Sequence, residues 1–422
     1  MKDKRILMIL NEFPPTAQSG VQRGLKFLKY AVRQGWEAHV IAPKTPIRDT
    51  LDLTLLEDIP PEAKVYRVAG LGLKTTSENK MVSARFEETA PKQFYLRMFW
   101  ALVKFVNDFL FPYDKQIGWM PFALFKAIRL INKHKIRNIY ITAFPYSAFL
   151  IGIVLKTIYK DRIFWIADYR DAWQFAPMMS KYVLPFRLSI ITKTDDFVLS
   201  KCDAAVFVTE TILNAYRQKH PGLSSKFRCI TNGFDEEDFV DLIPMNFEKQ
   251  TFVYMGKLHL NYGDPTSFFT TISQVMKEDY QVIHIGSTDE VIRNNLSKNS
   301  QLNYKYLGYK PHKEALRYSA GADVNLIFLS DDSASENVYT GKLFELIRIG
   351  KPIFAIGPKK SIIQELLTTT GMGRYAWVAD KNQIVSEFTQ LLVDKHKPEC
   401  NHADTIRFSR QELTRSLLEI FD

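Results

Sequence analysis

Cysteine is scarce in this chain. Three thiols, Cys202, Cys229 and Cys400, are spread over 422 residues. An odd number, widely spaced and without the close pairing of a metal-binding motif, argues for a reducing compartment and incidental thiols. Long apolar runs are missing as well, so no stretch reads as a membrane span. The start, M-K-D-K-R-I-L-M-I-L-N-E, carries only five consecutive apolar residues before Asn11 and Glu12. That is too short for the apolar region of a signal peptide, and no small-residue cleavage site follows. The expected setting is therefore cytoplasmic. There is no G-x-G-x-x-G, so a dinucleotide fold of the dehydrogenase kind is unsupported. No zinc-finger or RNP-like pattern is present either, which argues against nucleic acid as a partner.

Positive charge is plentiful, but only on one side of the chain. The net charge is +10; residues 1–160 hold 25 Lys/Arg against 13 Asp/Glu, and the remainder 31 against 33. An anionic membrane surface is the partner this asymmetry suggests, with ordinary solubility charge as the plain reading. Phe94–Phe111 strengthens the first: it is almost wholly apolar and aromatic except for Arg97, Lys104 and Asp108, which share a stripe at helical spacing. Such a helix is either buried on most sides or lies in a membrane interface. The length exceeds one ordinary core, so two domains are expected.

Both halves read as alternating strands and helices, hence parallel α/β sheets. In the first, Arg5–Leu10 is a strand, Asn11–Gly20 a loop, and a helix follows from Val21 with Leu25, Leu28 and Val32 inward and Arg23, Lys26 and Arg33 outward. Gly20 heads that helix, where bare N–H groups can approach an anion. The strand Ile163–Ala167 delivers D-Y-R-D-A-W (Asp168–Trp173) at its C-terminal end, where open parallel sheets keep ligand sites. Two carboxylates flanking an arginine there suggest function, against the plain reading of a loop-pinning cluster. T-N-G-F-D ends the half in a turn that asks for positive φ at Gly233.

In the second half, Thr251–Met255 is a strand with G-K-L-H-L-N-Y-G-D-P as its loop, and Tyr304–Leu307 leads to Gly308 and Tyr309. The densest stretch is Glu336–Gly357. Thr340 and Gly341 form a cap-like pair before a short helix with Leu343, Leu346 and Ile347 inward; Lys342 and Glu345 share another side, and Gly350 with Pro352 closes it. A helix start with a lysine and a carboxylate side by side suits a phosphate next to a sugar hydroxyl.

Taken in order, F-P-P…S-G-V-Q-R-G-L-K-F-L-K-Y, P-Y-D-K-Q-I-G-W, D-Y-R-D-A-W, T-N-G-F-D, Y-M-G-K-L and T-G-K-L-F-E-L-I-R-I-G-K-P-I resemble the retaining GT-B glycosyltransferases of family four, bacterial cell-surface glycan type. The resemblance implies an α/β fold of two Rossmann-like domains facing a central cleft. It implies an acceptor-binding domain over 1–235, a linker over 236–250, a nucleotide-sugar domain over 251–400, and a C-terminal helix, 401–422, packing back on the first domain. It also implies a metal-independent transfer, with retention, from a UDP- or GDP-linked sugar to a glycan or lipid-linked acceptor at the inner face of the cytoplasmic membrane, and no cofactor beyond the donor itself. On that resemblance Glu345 holds the donor ribose, N–H groups at Thr340 and Gly341 the diphosphate, and Lys257 and Lys342 meet the leaving charge. Tyr309 borders the base and Gly20 approaches the donor. Asp168 or Asp171, positioned by Arg170, lies near the acceptor or sugar. The pattern departs from the family at Asn337, where a glutamate eight before Glu345 is usual, and after Lys257, where His259, Asn261 and Tyr262 follow. Those departures leave open a degenerate GT-B scaffold; a sugar-nucleotide epimerase, which would need no acceptor, is the alternative enzymatic reading.

Overall fold

The computed structural model describes residues 3–16, 19–44, 51–70, 114–173, 185–258, 265–276, 279–299, 302–333, 335–393 and 405–422. The greasy segment Phe94–Phe111 and the loop residues His259, Asn261 and Tyr262 lie outside them, as do the first residues of the expected C-terminal helix. Among the described residues, no helix is long and apolar enough to cross a membrane.

The chain forms two units, Met1–Thr231 with Thr414–Asp422, and Asn232–Leu413. Residues 236–250, read from sequence as a linker, belong to the second. The first unit is built on seven parallel strands: β1 (Arg5–Ile9), β2 (Glu37–Pro43), β3 (Lys64–Val68), β4 (Asn138–Ala143), β5 (Phe164–Tyr169), β6 (Ala204–Phe207) and β7 (Phe227–Cys229), in the order β3-β2-β1-β4-β5-β6-β7. The second has six: β8 (Gln250–Met255), β9 (Tyr280–Ile285), β10 (Tyr304–Gly308), β11 (Val324–Phe328), β12 (Ile353–Gly357) and β13 (Gly373–Trp377), in the order β10-β9-β8-β11-β12-β13. Every pairing is parallel. Sequence progression along the order reverses once in each sheet, between β1 and β4 and between β8 and β11, while strand direction does not. Those switch points are where the carboxyl ends of open α/β sheets leave a crevice.

Helices cover the sheets, which is why the central strands read as unbroken apolar runs. All six residues of β4 and all five of β12 are buried. Trp165, Phe149, Tyr169 and Phe207 pack among them in the first unit, and Phe252, Phe354 and Phe388 in the second. The last residues of the chain belong to the first unit, where Phe421 packs against Trp36 and Phe164.

Three local expectations change. The helix Ser19–Arg33 buries Arg23 and Lys26, which its apolar period had placed outward. Each is buried because a carboxylate waits for it: Arg23 meets Asp168, while Lys26 and Lys29 both hold Asp58 at 2.7 and 2.8 Å. Strand β5 runs two residues past Ala167, so Asp168 lies inside the sheet and not in the loop after it. Gly233 is not among the glycines with positive φ; a Cβ there would lie 2.0 Å from the Phe408 carbonyl oxygen, so close approach of the chain requires the glycine.

Candidate functional site

At the β1/β4 switch of the first unit, three loops meet. Asn11 and Glu12 follow β1, Phe144 follows β4, and Arg170 follows β5. Arg170 pairs with Glu12 at 2.9 Å and donates through Nε to the Ala143 carbonyl at 2.8 Å. Gly20, the second residue of its helix, is what gives this pair room. A Cβ there would lie 1.6 Å from an Arg170 guanidinium nitrogen and 2.3 Å from a Glu12 carboxylate oxygen. Gly20 and Arg170 therefore do come together, through a partner, Glu12, that the sequence reading missed. Asn11 was missed too. It is 2% exposed, and both its amide oxygen and nitrogen are buried without a hydrogen-bond partner among the described residues. A buried amide left unpaired costs free energy, so such a group at a sheet's carboxyl end calls for a partner, whether water or ligand. The available signal was position: both residues come just after β1, behind Leu10.

The two aspartates part company. Asp168 is 0% exposed and its oxygens are fully engaged. Arg23 donates to it through Nε and Nη2, Tyr140 Oη at 2.6 Å and Thr142 Oγ1 at 2.7 Å. Burial pushes this carboxyl up, but the Arg23 charge and these donors outweigh it and hold the group below the usual carboxylate range. Arg23 also donates to the carbonyls of Ile230 and Thr231. Asp168 thus anchors the end of the sheet, and its arginine is Arg23, not Arg170. Asp171 reaches solvent at the rim. Desolvation by the surrounding wall raises its carboxyl; Arg170 draws it down and Glu12 pushes it up.

The second unit carries its own cluster at the β8/β11 switch. Gly256, directly after β8, has φ +154°, which an L side chain rarely adopts, and a Cβ there would lie 2.0 Å from Lys342 Nζ. Lys342 donates to the Met255 carbonyl and lies over the Tyr254 ring, 4.1 Å from its centroid. Burial lowers its ammonium to about 7, with Glu345 acting in the opposite sense. His284, on β9, supports the same turn. Its Nε2 donates to the Gly256 carbonyl at 2.9 Å, which leaves Nδ1 to accept from Tyr304 Oη at 2.6 Å. Burial lowers its pKa to about 4, so this imidazole is neutral.

The helix itself runs over Leu343–Ile349, so Thr340 and Gly341 form the turn before it and do not cap it. Thr340 Oγ1 is buried without a hydrogen-bond partner among the described residues, and Gly341 is exposed. Gly350 closes the helix at φ +74°, the left-handed cap its sequence announces. Glu345 does not hydrogen-bond Lys342 in this arrangement; its Oε1 lies 3.0 Å from His312 Nε2, a partner no local motif revealed because it lies 33 residues away. Lys257 is exposed beside the turn, with its carbonyl accepting from Tyr254 Oη at 3.1 Å. Tyr309, 56% exposed, follows β10. The cluster therefore gathers two lysines, a carboxylate and a glycine turn at one strand end. It suits an anion that brings hydroxyl groups with it.

No protein-family profile matches the chain, and neither does any curated protein sequence. Solved structures do match. A sucrose-phosphate synthase from Thermosynechococcus elongatus superposes with TM-score 0.65 at 12% identity, over 99% of this chain and 98% of its own. Anabaena Alr3699/HepE, solved with UDP and glucose, gives 0.63 at 14% identity over 98% of each chain. A putative UDP-N-acetylglucosamine 2-epimerase from Listeria monocytogenes gives 0.58 at 10% identity, over 99% and 95%. At such identities the likeness is one of fold, and the fold is GT-B.

Proposed function

We propose that the chain is a glycosyltransferase that moves a sugar from a UDP- or GDP-linked donor to a glycan or lipid-linked acceptor. The observation that carries this reading is the cluster at Gly256, Lys342 and Glu345, standing at the switch point of the second sheet of a GT-B fold. The neighbour solved with UDP and glucose has the same fold and supports the donor class. Glu345 would take the ribose hydroxyls, a role for which His312 already fixes its side chain. The turn at Thr340–Gly341 would meet the diphosphate. Lys342 and Lys257 would balance the charge that builds as the glycosidic bond breaks, without a metal ion. In the first unit, the Glu12–Arg170 pair and Asp171 would contact acceptor or sugar, with Asp168 acting through the fold. For transfer with retention, a donor phosphate oxygen would take the acceptor proton.

The membrane part of the proposal rests on the first unit. The helix Met120–His134 exposes Phe122 and Phe125, the latter 71% exposed, on the same side as Arg129 and Lys133. Aromatic rings next to basic side chains suit an anionic lipid surface and hence a lipid-borne acceptor. Co-sedimentation with anionic but not neutral vesicles is expected, reduced in Phe125→Ser.

The donor test is thermal-shift measurement against UDP, GDP, ADP and their sugars in EDTA, with Glu345→Ala alongside. Stabilisation by one nucleotide, lost in the variant, is the expected result. No shift with any nucleotide would replace the proposal by a scaffold role for the fold. Because a structural neighbour is a putative epimerase, product analysis without acceptor separates the second reading: an epimer formed from donor alone would select it.

A further inference from the structure

A second cluster lies in the first unit, at the opposite end of the sheet from Glu12 and Arg170. Glu37 and His39, two apart at the start of β2, point to the same side. His134, the last residue of the helix Met120–His134, comes down on them. One ligand atom from each of the three lies within 4.8 Å of the others. His39 Nε2 faces Glu37 Oε1 at 3.1 Å, and the two imidazole rings are 4.4 Å apart between centroids. Among the described residues this is the one grouping of His, Cys, Asp or Glu that converges in this way.

We propose that Glu37, His39 and His134 bind one divalent transition-metal ion, with zinc the reference case. Two imidazole nitrogens and a carboxylate oxygen are a three-ligand zinc set, completed by water in the fourth position. Nitrogen and oxygen donors at about 2.0–2.1 Å from one ion sit closer together than 4.8 Å, so the three side chains would draw in to close the site. The far nitrogen of His39 has the second partner that ligating histidines use: Nδ1 faces Tyr66 Oη at 3.4 Å.

The surroundings also say which cations are refused. Lys64 Nζ already sits on Glu37 Oε1 at 2.5 Å, Lys126 lies over the Tyr66 ring, and Arg5 donates to the His134 carbonyl. One carboxylate amid three basic side chains is a poor site for calcium or magnesium, which want several oxygens. Imidazole-preferring ions such as zinc, nickel or copper gain from the two nitrogens instead. Lys64 occupies the carboxylate as a competing cation, and a metal displaces it. The ion would tie the start of β2 to the end of a helix far along the chain. Lying at the amino ends of the strands, it stands apart from the Glu12–Arg170 pair at their carboxyl ends.

The experiment uses the untagged full chain, stripped with chelator and titrated calorimetrically with ZnCl2 at pH 7.5. Uptake of one ion per chain is expected, with a rise in melting temperature and with no competition from excess Mg2+. Glu37→Gln and His134→Ala should each weaken binding roughly tenfold or more. Lys64→Met should tighten it, since the carboxylate is freed. Both altered ligands are partly exposed, so their unchanged folding is verifiable by circular dichroism. Co2+ loaded in place of zinc should show the visible bands of a four-coordinate ion, lost in His134→Ala. Absence of saturable uptake overturns the proposal, and so does uptake that neither Glu37→Gln nor His134→Ala alters.

Discussion

Lys342 shows how one side chain can carry a pH response into binding. With its ammonium lowered by burial to about 7, it is partly neutral at physiological pH when the site is empty. A diphosphate beside it would favour the charged form and raise that value, so nucleotide binding takes up a proton. For the proposed donor site the sign follows: affinity for UDP or GDP should be full below pH 7 and should decline as pH rises above 7, by as much as tenfold per pH unit if only this group responds. Isothermal titration between pH 6 and 9 checks the slope. In Lys342→Met, an apolar replacement of similar length, the affinity should fall roughly tenfold at pH 6.5 and the slope should vanish. A slope that survives in Lys342→Met would place the responding group elsewhere.

Elements in this fold are held at the carboxyl ends of the strands by buried polar clusters. Arg23, on the first helix, joins β5 through Asp168 and the exit of β7 through the Ile230 and Thr231 carbonyls. Tyr140 and Thr142, both on β4, join the same carboxylate. Removing one member leaves an uncompensated charge in a dry site, which typically costs about 3–5 kcal/mol. Arg23→Met should therefore lower urea stability by about that amount. Arg23→Lys should recover only part, because one ammonium cannot reproduce the paired guanidinium contacts. Equal stability of Arg23→Met and the parent protein would show that the network is dispensable.

Across the molecule, stability depends on pH through buried titratable groups. Asp195 is fully buried between Tyr169 Oη at 2.7 Å and Tyr216 Oη at 2.6 Å. Burial lifts its carboxyl to about 7, and the two hydroxyls only partly offset this. A carboxyl with a raised folded-state pKa favours folding most at low pH and loses that contribution as pH rises from about 4 to about 7. Asp168 and Asp58, both held below the usual range, act in the reverse sense at lower pH. His284, neutral in the fold, opposes folding as pH falls from about 6 toward 4. The Asp195 effect is isolated by comparison. Asp195→Asn should be more stable relative to the parent at pH 8 than at pH 5, by about 2–4 kcal/mol in denaturant titrations. A difference that does not change with pH would mean that Asp195 is ionised in the fold.

The sequence by itself determined the sheets. Unbroken apolar runs such as Ile353–Ile356 and the alternation with helices fix parallel strands covered on both faces, because short-range pattern and burial are the same information there. Gly350 as a helix end was equally local, since only the residue and its φ matter. That Gly20, Lys342 and Glu345 stand beside strand ends could be read from their positions along the chain. Their partners could not. Arg23 had the spacing of a surface residue and is buried because Asp168 lies 145 positions away, and Glu345 is steered by His312. The Glu12–Arg170 pair and the Glu37–His39–His134 cluster likewise join residues that no window of sequence contains. Charges choose their burial by the partner that folding delivers, since desolvation is tolerated only when it is compensated. That decision belongs to tertiary structure, and in this protein it separates the aspartate that anchors the sheet from the one left at the rim.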